Sequence, residues 1–166
     1  EAESRSWTVT NLGELPTWVT AESLGANGFD DLVNFDAYVG ALGASTDNIM
    51  SIATTYVENT TEDPLLVEIC TASDDSIRVD INNFVVTNVS ACRGSAGDCQ
   101  EVSCGELAPG MNRITTYVWE GGGGWNMRIR LRDQNGVVLS DASDGVIFHG
   151  TGDDDGLEGQ FIDEPP

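Results

Sequence analysis

Apolar and polar residues alternate along several short segments of this chain, a period of two that is typical of β-strands with one buried face. Residues 77–82 alternate isoleucine and valine with arginine, aspartate and asparagine. Residues 127–132 alternate methionine, isoleucine and leucine with Arg128, Arg130 and Arg132. Each segment is predicted to bury its apolar residues and to expose its polar ones, so the three arginines are available to pair with carboxylates or to reach a ligand.

Similar runs recur at intervals of roughly 8–12 residues between glycine, proline and asparagine turns, which is typical of an antiparallel sandwich. Asn82-Asn83 and Asn135-Gly136 are predicted hairpin turns, because both residue types tolerate positive φ. Segment 18–50 shows no regular repeat and is expected to be an ordered loop with one helical turn. The predicted fold class is all-β, an antiparallel jelly-roll β-sandwich. The predicted strands are 6–10, 51–58, 65–71, 77–81, 84–86, 100–104, 111–119, 125–132, 137–140 and 146–149.

The chain has 166 residues, which suits one β-sandwich domain. Residues 1–150 are predicted to form a single module. Residues 151–166 are rich in acids, glycine and proline and are expected to be a linker or tail. No stretch approaches the length of about 20 apolar residues that a membrane-spanning helix needs. We therefore expect a module of a larger secreted or cell-surface protein, covalently linked to other domains.

The charge of the chain narrows its partners. The formal net charge is -21, and all seven cationic residues are arginines. Such a surface repels phosphate backbones and anionic headgroups, so nucleic-acid and membrane partners are disfavoured. Divalent cations and neutral sugars remain as possible partners. The alternative interpretation is that the acidic surface serves solubility alone.

Four cysteines lie in the middle of the chain, and an even number without a histidine pattern favours disulfides in an oxidising compartment. Four cysteines allow three connectivities, and we expect Cys92 to pair with Cys99 and Cys70 with Cys104. A zinc site is the alternative, but no C-x2-C pair supports it.

Few residues are suited to catalysis. His149 is the only histidine, lysine is absent, and no G-x-S-x-G motif presents a serine nucleophile. A pair of carboxylates could still serve glycoside hydrolysis, so a small secreted hydrolase remains an alternative. The prediction is a protein that is not an enzyme.

Three motifs follow one another in the chain. Residues 72–86 contain the Asp74-Asp75 pair, an alternating strand and the Asn-Asn turn; residues 107–114 contain a Pro-Gly turn; residues 119–131 contain four glycines between Trp119 and Trp125. In this order they resemble the galactose-binding-like and PA14-like jelly rolls of secreted glycoside hydrolases and adhesins. The resemblance covers about residues 52–139 and concerns the fold.

The resemblance implies a cation site. In PA14-like adhesins a similar aspartate pair holds a calcium ion that bridges a glycan, so Asp74 and Asp75 become candidate metal ligands. The asparagine that would complete the site is not fixed by the sequence. A purely structural role of the pair in its turn is the alternative. The asparagine candidates are Asn82, Asn83 and Asn126.

Other acids are also calcium candidates, since calcium takes six to eight oxygen ligands from such loops. They comprise Asp30, Asp31 and Asp36 near the N-terminus and Asp144 near the end of the module. Calcium is therefore the expected cofactor.

Neutral sugars stack an apolar face on an aromatic ring while polar side chains bind the hydroxyl groups. The chain has several candidates for both roles, although each aromatic residue could instead belong to the core. The leading prediction is a calcium-stabilised module that binds a polysaccharide or other glycan without catalysis. A structural or adhesive spacer is the alternative. The predicted ligand-binding residues are Trp119, Trp125, Asn126, Arg128, Trp18 and Tyr38.

Overall fold

The computed structural model of the chain describes residues 8–11, 32–41, 43, 46–96, 99–140 and 142–149. These residues form antiparallel strands, one two-turn helix and a short 3-10 turn, Ala142–Asp144. The elements are β1 (Thr8–Asn11), β2 (Leu32–Asn34), α1 (Phe35–Ala41), β3 (Ile49–Asn59), β4 (Leu65–Asp74), β5 (Ser76–Ile81), β6 (Phe84–Val89), β7 (Glu101–Leu107), β8 (Gly110–Glu120), β9 (Asn126–Arg132) and β10 (Val146–His149).

Among the described residues the strands form two sheets. The larger sheet has the order β1-β3-β8-β5-β6, with β10 also paired to β3. β1 pairs with residues 51–54 of β3 and β10 with residues 56–59, so the two short strands share one edge. The smaller sheet has the order β2-β9-β4-β7. Every pairing is antiparallel, which confirms the predicted all-β sandwich.

The core lies between the sheets and follows the alternation in the sequence. In β9 the apolar residues are buried, and the three arginines lie on the other face. Burial of a Val, Leu, Ile or Met side chain stabilises the fold by about 1.5–3 kcal/mol, so this layer supplies much of the stability. The larger sheet contributes Ala53, Val57, Ile77, Val79, Ile81, Ile114, Val118 and Val146, and the smaller sheet Val33, Val67, Ile69, Leu107, Met127, Ile129 and Leu131.

The helix α1 begins at an asparagine cap. The side-chain oxygen of Asn34 accepts a hydrogen bond from the N–H of Ala37 at 3.1 Å, which satisfies one of the free donors of the first turn. Phe35 and Val39, four residues apart, are buried on the same face of the helix. The helix is therefore packed into the end of the sandwich, and Asp36 is held there with it.

Both predicted turns are confirmed, and Gly136 has a positive φ of 82°, but the strand predicted after the second turn is wrong. Asn82 and Asn83 have positive φ angles of 50° and 69° and join β5 to β6. Residues 137–140 do not form the predicted strand and make a single bridge, between Arg132 and Val138. The carboxylate of Asp133 accepts hydrogen bonds from the N–H groups of Asn135 and Val137, so a side chain replaces part of the strand ladder.

The predicted disulfide pairing is also wrong. Cys70 is bonded to Cys99, whereas Cys92 and Cys104 are free thiols. In the pairing of β4 with β7, Cys70 faces Val102 and Cys104 faces Glu68. Diagonal neighbours of this kind lie about 7–8 Å apart, too far for a disulfide.

Some predictions fall on residues outside the described ranges. These are the tail 151–166 and the candidate site residues Trp18, Asp30 and Asp31. Within the described ranges, no helix has the length and apolar character needed to cross a membrane.

Candidate cation site and adjoining groove

Three acidic side chains meet at one end of the sandwich. Asp74 ends β4, Asp75 lies in the turn before β5, and Glu120 ends β8. One carboxylate oxygen from each lies within 4.8 Å of those of the other two. The peptide bond between Asp74 and Asp75 is cis. Carboxylates this close repel one another unless donors or a cation neutralise them, so the acid cluster of Asp74, Asp75 and Glu120 could hold a metal ion.

Strand register assembles the acid cluster. β5 pairs with β8 so that Ser76 faces Trp119, and the N–H of Asp75 donates to the carbonyl oxygen of Trp119 at 3.2 Å. Glu120 is the next residue of β8 and lies on the inner face with Val118, where both are fully buried. The two acids therefore approach each other from adjacent strands.

Backbone donors surround the carboxylate of Asp75, whose residue exposes only 3% of its surface. One oxygen accepts from the N–H of Arg93 at 2.7 Å, and the other accepts from the N–H of Gly121 at 3.0 Å. The thiol of Cys92 also forms a hydrogen bond with Asp75, which is the leading cause of the raised pKa of that thiol. The predicted Cys92–Cys99 bond is absent because Cys99 is bonded to Cys70.

Glu120 has one carboxylate oxygen that is hydrogen-bonded within the described structure and one that is not. Its Oε1 atom accepts from the N–H of Gly122, whereas its buried Oε2 atom has no hydrogen-bond partner among the described residues. Burial raises the pKa of Glu120, the Gly122 N–H opposes that shift, and the charges of neighbouring acids raise the pKa further. A buried carboxylate oxygen without a partner is costly, and a bound cation removes that cost.

Asp74 is the partly exposed member of the cluster. Its pKa is raised by burial and then by the charges of Asp75 and Asp36, while a backbone hydrogen bond from Ser95 lowers it. Asn126 faces Asp74 in the pairing of β4 with β9, so this residue lies beside the cluster. A Cβ atom at Gly124 would lie 2.9 Å from the Oδ2 atom of Asp74. Glycine is therefore needed here for the carboxylate to keep its place.

The segment 91–96 supplies two of these backbone donors and is fixed at both ends. At its start, the N–H of Ala91 donates to the hydroxyl of Ser76 at 3.0 Å. Beyond its end, the Cys70–Cys99 disulfide ties the chain to β4. The guanidinium of Arg93 also pairs with Glu101 at 2.7 Å. The disulfide thus holds the loop that neutralises part of the acid cluster.

The two tryptophans that flank the glycines differ in environment. Trp119 is 43% exposed, consistent with its predicted place on a binding surface. Trp125 is 1% exposed, stacks against Phe35 at 5.0 Å between ring centroids, and donates from Nε1 to the carbonyl of Val118. The prediction that Trp125 contacts a ligand is wrong, because its ring is part of the core.

The other predicted ligand-binding residues are placed as follows. Arg128 donates from Nη1 to the hydroxyl of Ser95 at 3.4 Å, and Ser95 also bonds Asp74, so Arg128 lies close to the cluster. Asn126 lies beside Asp74, as described above. Tyr38 lies in α1.

The remaining predicted metal ligands divide into two groups. The Oδ2 atom of Asp36 accepts from the N–H of Trp125 at 2.6 Å, and the charge of Asp36 raises the pKa values of Asp74 and Glu120. Asp144 lies at the opposite end of the sandwich, where its Oδ2 accepts from the N–H of Ser140. The structure therefore brings Asp36 near the acid cluster and separates Asp144 from it. Asn82 and Asn83 are also distant, at the far end of β5.

Sequence reasoning missed Glu120, although a signal was present. In β8 the residues at 114, 116 and 118 face the core, and the same alternation places Glu120 there too. A lone acid on the core face next to an aspartate pair is a candidate ligand. The backbone donors from segment 91–96 had no comparable signal, because they depend on the course of a loop.

A groove of about 520 Å³ lies on the outer face of the larger sheet. Trp119 joins it to the acid cluster, since a side chain added at Gly121 would meet both the Trp119 ring at 3.1 Å and Asp75 at 3.3 Å. Two rows of side chains that cross the strands line the groove. The first row is Tyr117, Arg78 and Asn88, and the second is Met50, Trp119 and Ser76.

The sequence matches no family model and no curated protein. Solved structures similar to it include a PA14 sugar-binding domain from RTX adhesin, at 20% identity over 55% of this chain and 51% of that one, with a TM-score of 0.42. An anti-sigma factor domain-containing protein from Clostridium clariflavum is 10% identical over 82% of this chain and 44% of that one, with a TM-score of 0.48.

An FMN-binding beta-glucuronidase from Facaelibacterium prausnitzii L2-6 is 12% identical over 78% of this chain and 22% of that one, with a TM-score of 0.45. The chain spans about half the length of the PA14 domain and smaller shares of the other two. All three likenesses concern the fold alone.

Proposed function

We propose that this chain is a non-catalytic, calcium-dependent carbohydrate-binding module of a larger secreted or cell-surface protein. The observation that carries the proposal is the acid cluster, in which a fully buried Glu120 has an oxygen with no hydrogen-bond partner in the described part of the chain, beside Asp74 and Asp75. The cluster lies next to the exposed ring of Trp119.

The chemistry of the donors favours calcium. All three candidate ligands of the cluster are carboxylates, and Asn126 lies beside Asp74. Hard cations such as calcium prefer oxygen ligands and accept irregular geometry, whereas magnesium needs a near-octahedral shell. Asp74, Asp75 and Glu120 would hold the ion, and the bound ion would neutralise their mutual repulsion.

The position of the cluster suits a sugar. Calcium takes six to eight oxygens, so three carboxylates leave several positions for water or for hydroxyl groups of a ligand. Asp74 is partly exposed and the neighbouring Gly122 and Gly123 are exposed, so a ligand can approach from this side. Trp119 offers an apolar ring on which the C–H face of a sugar can stack. A neutral sugar carries no net charge, so it is not repelled by a chain with a net charge of -21.

The Cys70–Cys99 disulfide supports an oxidising compartment, and hence a secreted or surface location. A spacer without a sugar site is the competing function. It would share the fold and the disulfide and could also bind calcium, but it gives the groove beside Trp119 no role.

The test is a glycan array probed with the purified chain in calcium and again in EDTA. Binding that appears in calcium and is lost in EDTA is the expected result. Asp74→Asn should abolish it, because that variant removes one charge from the cluster. Asp144→Asn, at the opposite end of the sandwich, is the matched control and should bind as the wild type does. Absence of glycan binding in both buffers would favour the spacer.

A further inference from the structure

We propose that the groove on the outer face of the larger sheet is a second sugar subsite, which binds the next unit of the same neutral glycan chain. This inference rests on the proposed function and extends it from recognition of one sugar to recognition of a chain. It requires that oligosaccharides bind more tightly than monosaccharides.

The groove is built on two adjacent rows of the sheet. Tyr117 and Trp119 are two residues apart on β8 and point to the same face, so their attachment points are about 6.8 Å apart. Arg78 of β5 faces Tyr117 of β8 on one side and Asn88 of β6 on the other. The volume of about 520 Å³ lies within the range of small-molecule sites, about 300–1,000 Å³.

The lining has the chemistry of a sugar site. Trp119 supplies an exposed aromatic surface, while Asn88 and Ser90 are exposed and offer polar groups at the edge. The guanidinium carbon of Arg78 lies 5.3 Å from the centroid of the Tyr117 ring. An aromatic surface bordered by hydrogen-bonding groups matches a sugar, which has apolar faces and a polar rim.

Arg78 is held rigidly and is electrically balanced. Its Nε and Nη2 atoms donate to the two carboxylate oxygens of Asp80, each at 2.7 Å. This two-pronged pair fixes the guanidinium plane, while the side chain remains 45% exposed. Because Asp80 balances its charge, Arg78 offers hydrogen bonds without a net positive charge. The groove therefore favours neutral over acidic sugars.

The groove and the acid cluster are continuous. Ser76 lines the groove and directly follows Asp75, and Trp119 directly precedes Glu120. The ring of Trp119 lies against Gly121, whose N–H bonds Asp75. On this proposal, a sugar bound at the cation extends past the Trp119 ring into the groove.

The test is calorimetric titration with manno-, cello- and xylo-oligosaccharides of one to six units, in calcium. For the series that binds, affinity should rise roughly tenfold from the monosaccharide to the longer chains, which corresponds to about 1.4 kcal/mol. Asn88→Ala and Tyr117→Ala should remove this gain and leave monosaccharide and calcium binding unchanged. Phe84→Ala removes an exposed aromatic at the start of β6, opposite the last residue of β5, and is the matched control.

Two results would overturn the second subsite while calcium-dependent sugar binding stands. One is equal affinity for short and long chains; the other is an unchanged gain in the Asn88→Ala variant, which alters an exposed edge residue and should fold normally. Chain-length-dependent binding that survives in EDTA and is lost in Asn88→Ala would support the groove and contradict the cation-dependent function. No binding of any series in either buffer would overturn both.

Discussion

The indole rings of Trp119 and Trp125, six residues apart around one glycine loop, lie in opposite environments. Trp119 is 43% exposed on the outer face of the larger sheet, and Trp125 is 1% exposed in the core. Trp125 also anchors the loop, since its backbone N–H donates to Asp36 and its carbonyl accepts from Phe35. One tryptophan thus fixes the end of the sandwich, and the other is exposed on its surface.

The two tryptophans should differ in their effect on stability. Trp125→Ala is expected to lower the free energy of unfolding by about 3–5 kcal/mol, because it opens a cavity in the core. Trp119→Ala should change stability far less and should weaken glycan binding. Urea unfolding of both variants measures the difference. Similar losses of stability for the two would contradict this assignment.

Gly124→Ala should weaken calcium binding with little change in stability. Its added Cβ would lie 2.9 Å from the Oδ2 atom of Asp74, and the end of that side chain can move away without disturbing the fold. Gly40→Ala is the control, since Gly40 is exposed and nothing lies within 4 Å of its added Cβ. Calorimetric titration with calcium gives both affinities. Equal affinities would show that Asp74 does not bind the ion in the position seen here.

The cysteine assignment predicts that two thiols, Cys92 and Cys104, react in the folded, unreduced protein, and four after reduction and denaturation. Reduction should lower stability by about 2–4 kcal/mol and also weaken calcium binding. The second effect follows because the bond fixes the loop that carries the Arg93 and Ser95 donors. A count of zero or four thiols in the unreduced protein would refute the connectivity.

The acid cluster predicts an unusual pH dependence for the calcium-free protein. The pKa values of Asp74 and Glu120 are raised by folding, so their contribution to stability is fully present below their unfolded pKa values, about 4. That contribution is lost as the pH rises through the folded pKa values. The unfolding free energy in EDTA should therefore fall toward neutral pH, and calcium should restore it.

Two variants separate the effect of Glu120 on the pH dependence of stability from the effect of the high net negative charge of the chain. In EDTA, Glu120→Gln should reduce the decrease of the unfolding free energy toward neutral pH, because it removes one of the two groups with a raised pKa. Glu106→Gln removes an exposed acid of β7 and should leave the fall in place. Equal pH profiles for the two variants would show that Glu120 does not contribute. Unfolding in guanidinium at several pH values supplies the data.

The alternation of apolar residues predicts most of the strands, because a strand that buries one face must repeat every two residues. The same alternation also predicts which tryptophan is buried and which is exposed. Trp125 is in phase with the buried Met127, and Trp119 is out of phase with the buried Val118. The phase of a strand is thus a better guide to a ligand-binding ring than proximity to a glycine loop.

The disulfide and the complete site could not be predicted in this way. Which cysteines meet depends on the register of β4 against β7, and that register places Cys70 opposite Val102. The hydrogen bond from the N–H of Arg93 to Asp75 depends on the course of a loop, for which the sequence has no regular pattern. The aspartate pair is adjacent in the sequence and could be recognised there. The third carboxylate of the cluster, Glu120, belongs to β8, which is distant from the pair in the sequence.

The most direct test is to measure the calcium affinity of the chain with and without a saturating glycan found on the array, and the glycan affinity with and without calcium. If hydroxyl groups of the sugar bind the ion held by Asp74, Asp75 and Glu120, linkage requires the two affinities to rise by the same factor. We expect both the calcium affinity and the glycan affinity to rise by at least about tenfold. Calcium and glycan affinities that do not depend on one another would contradict it.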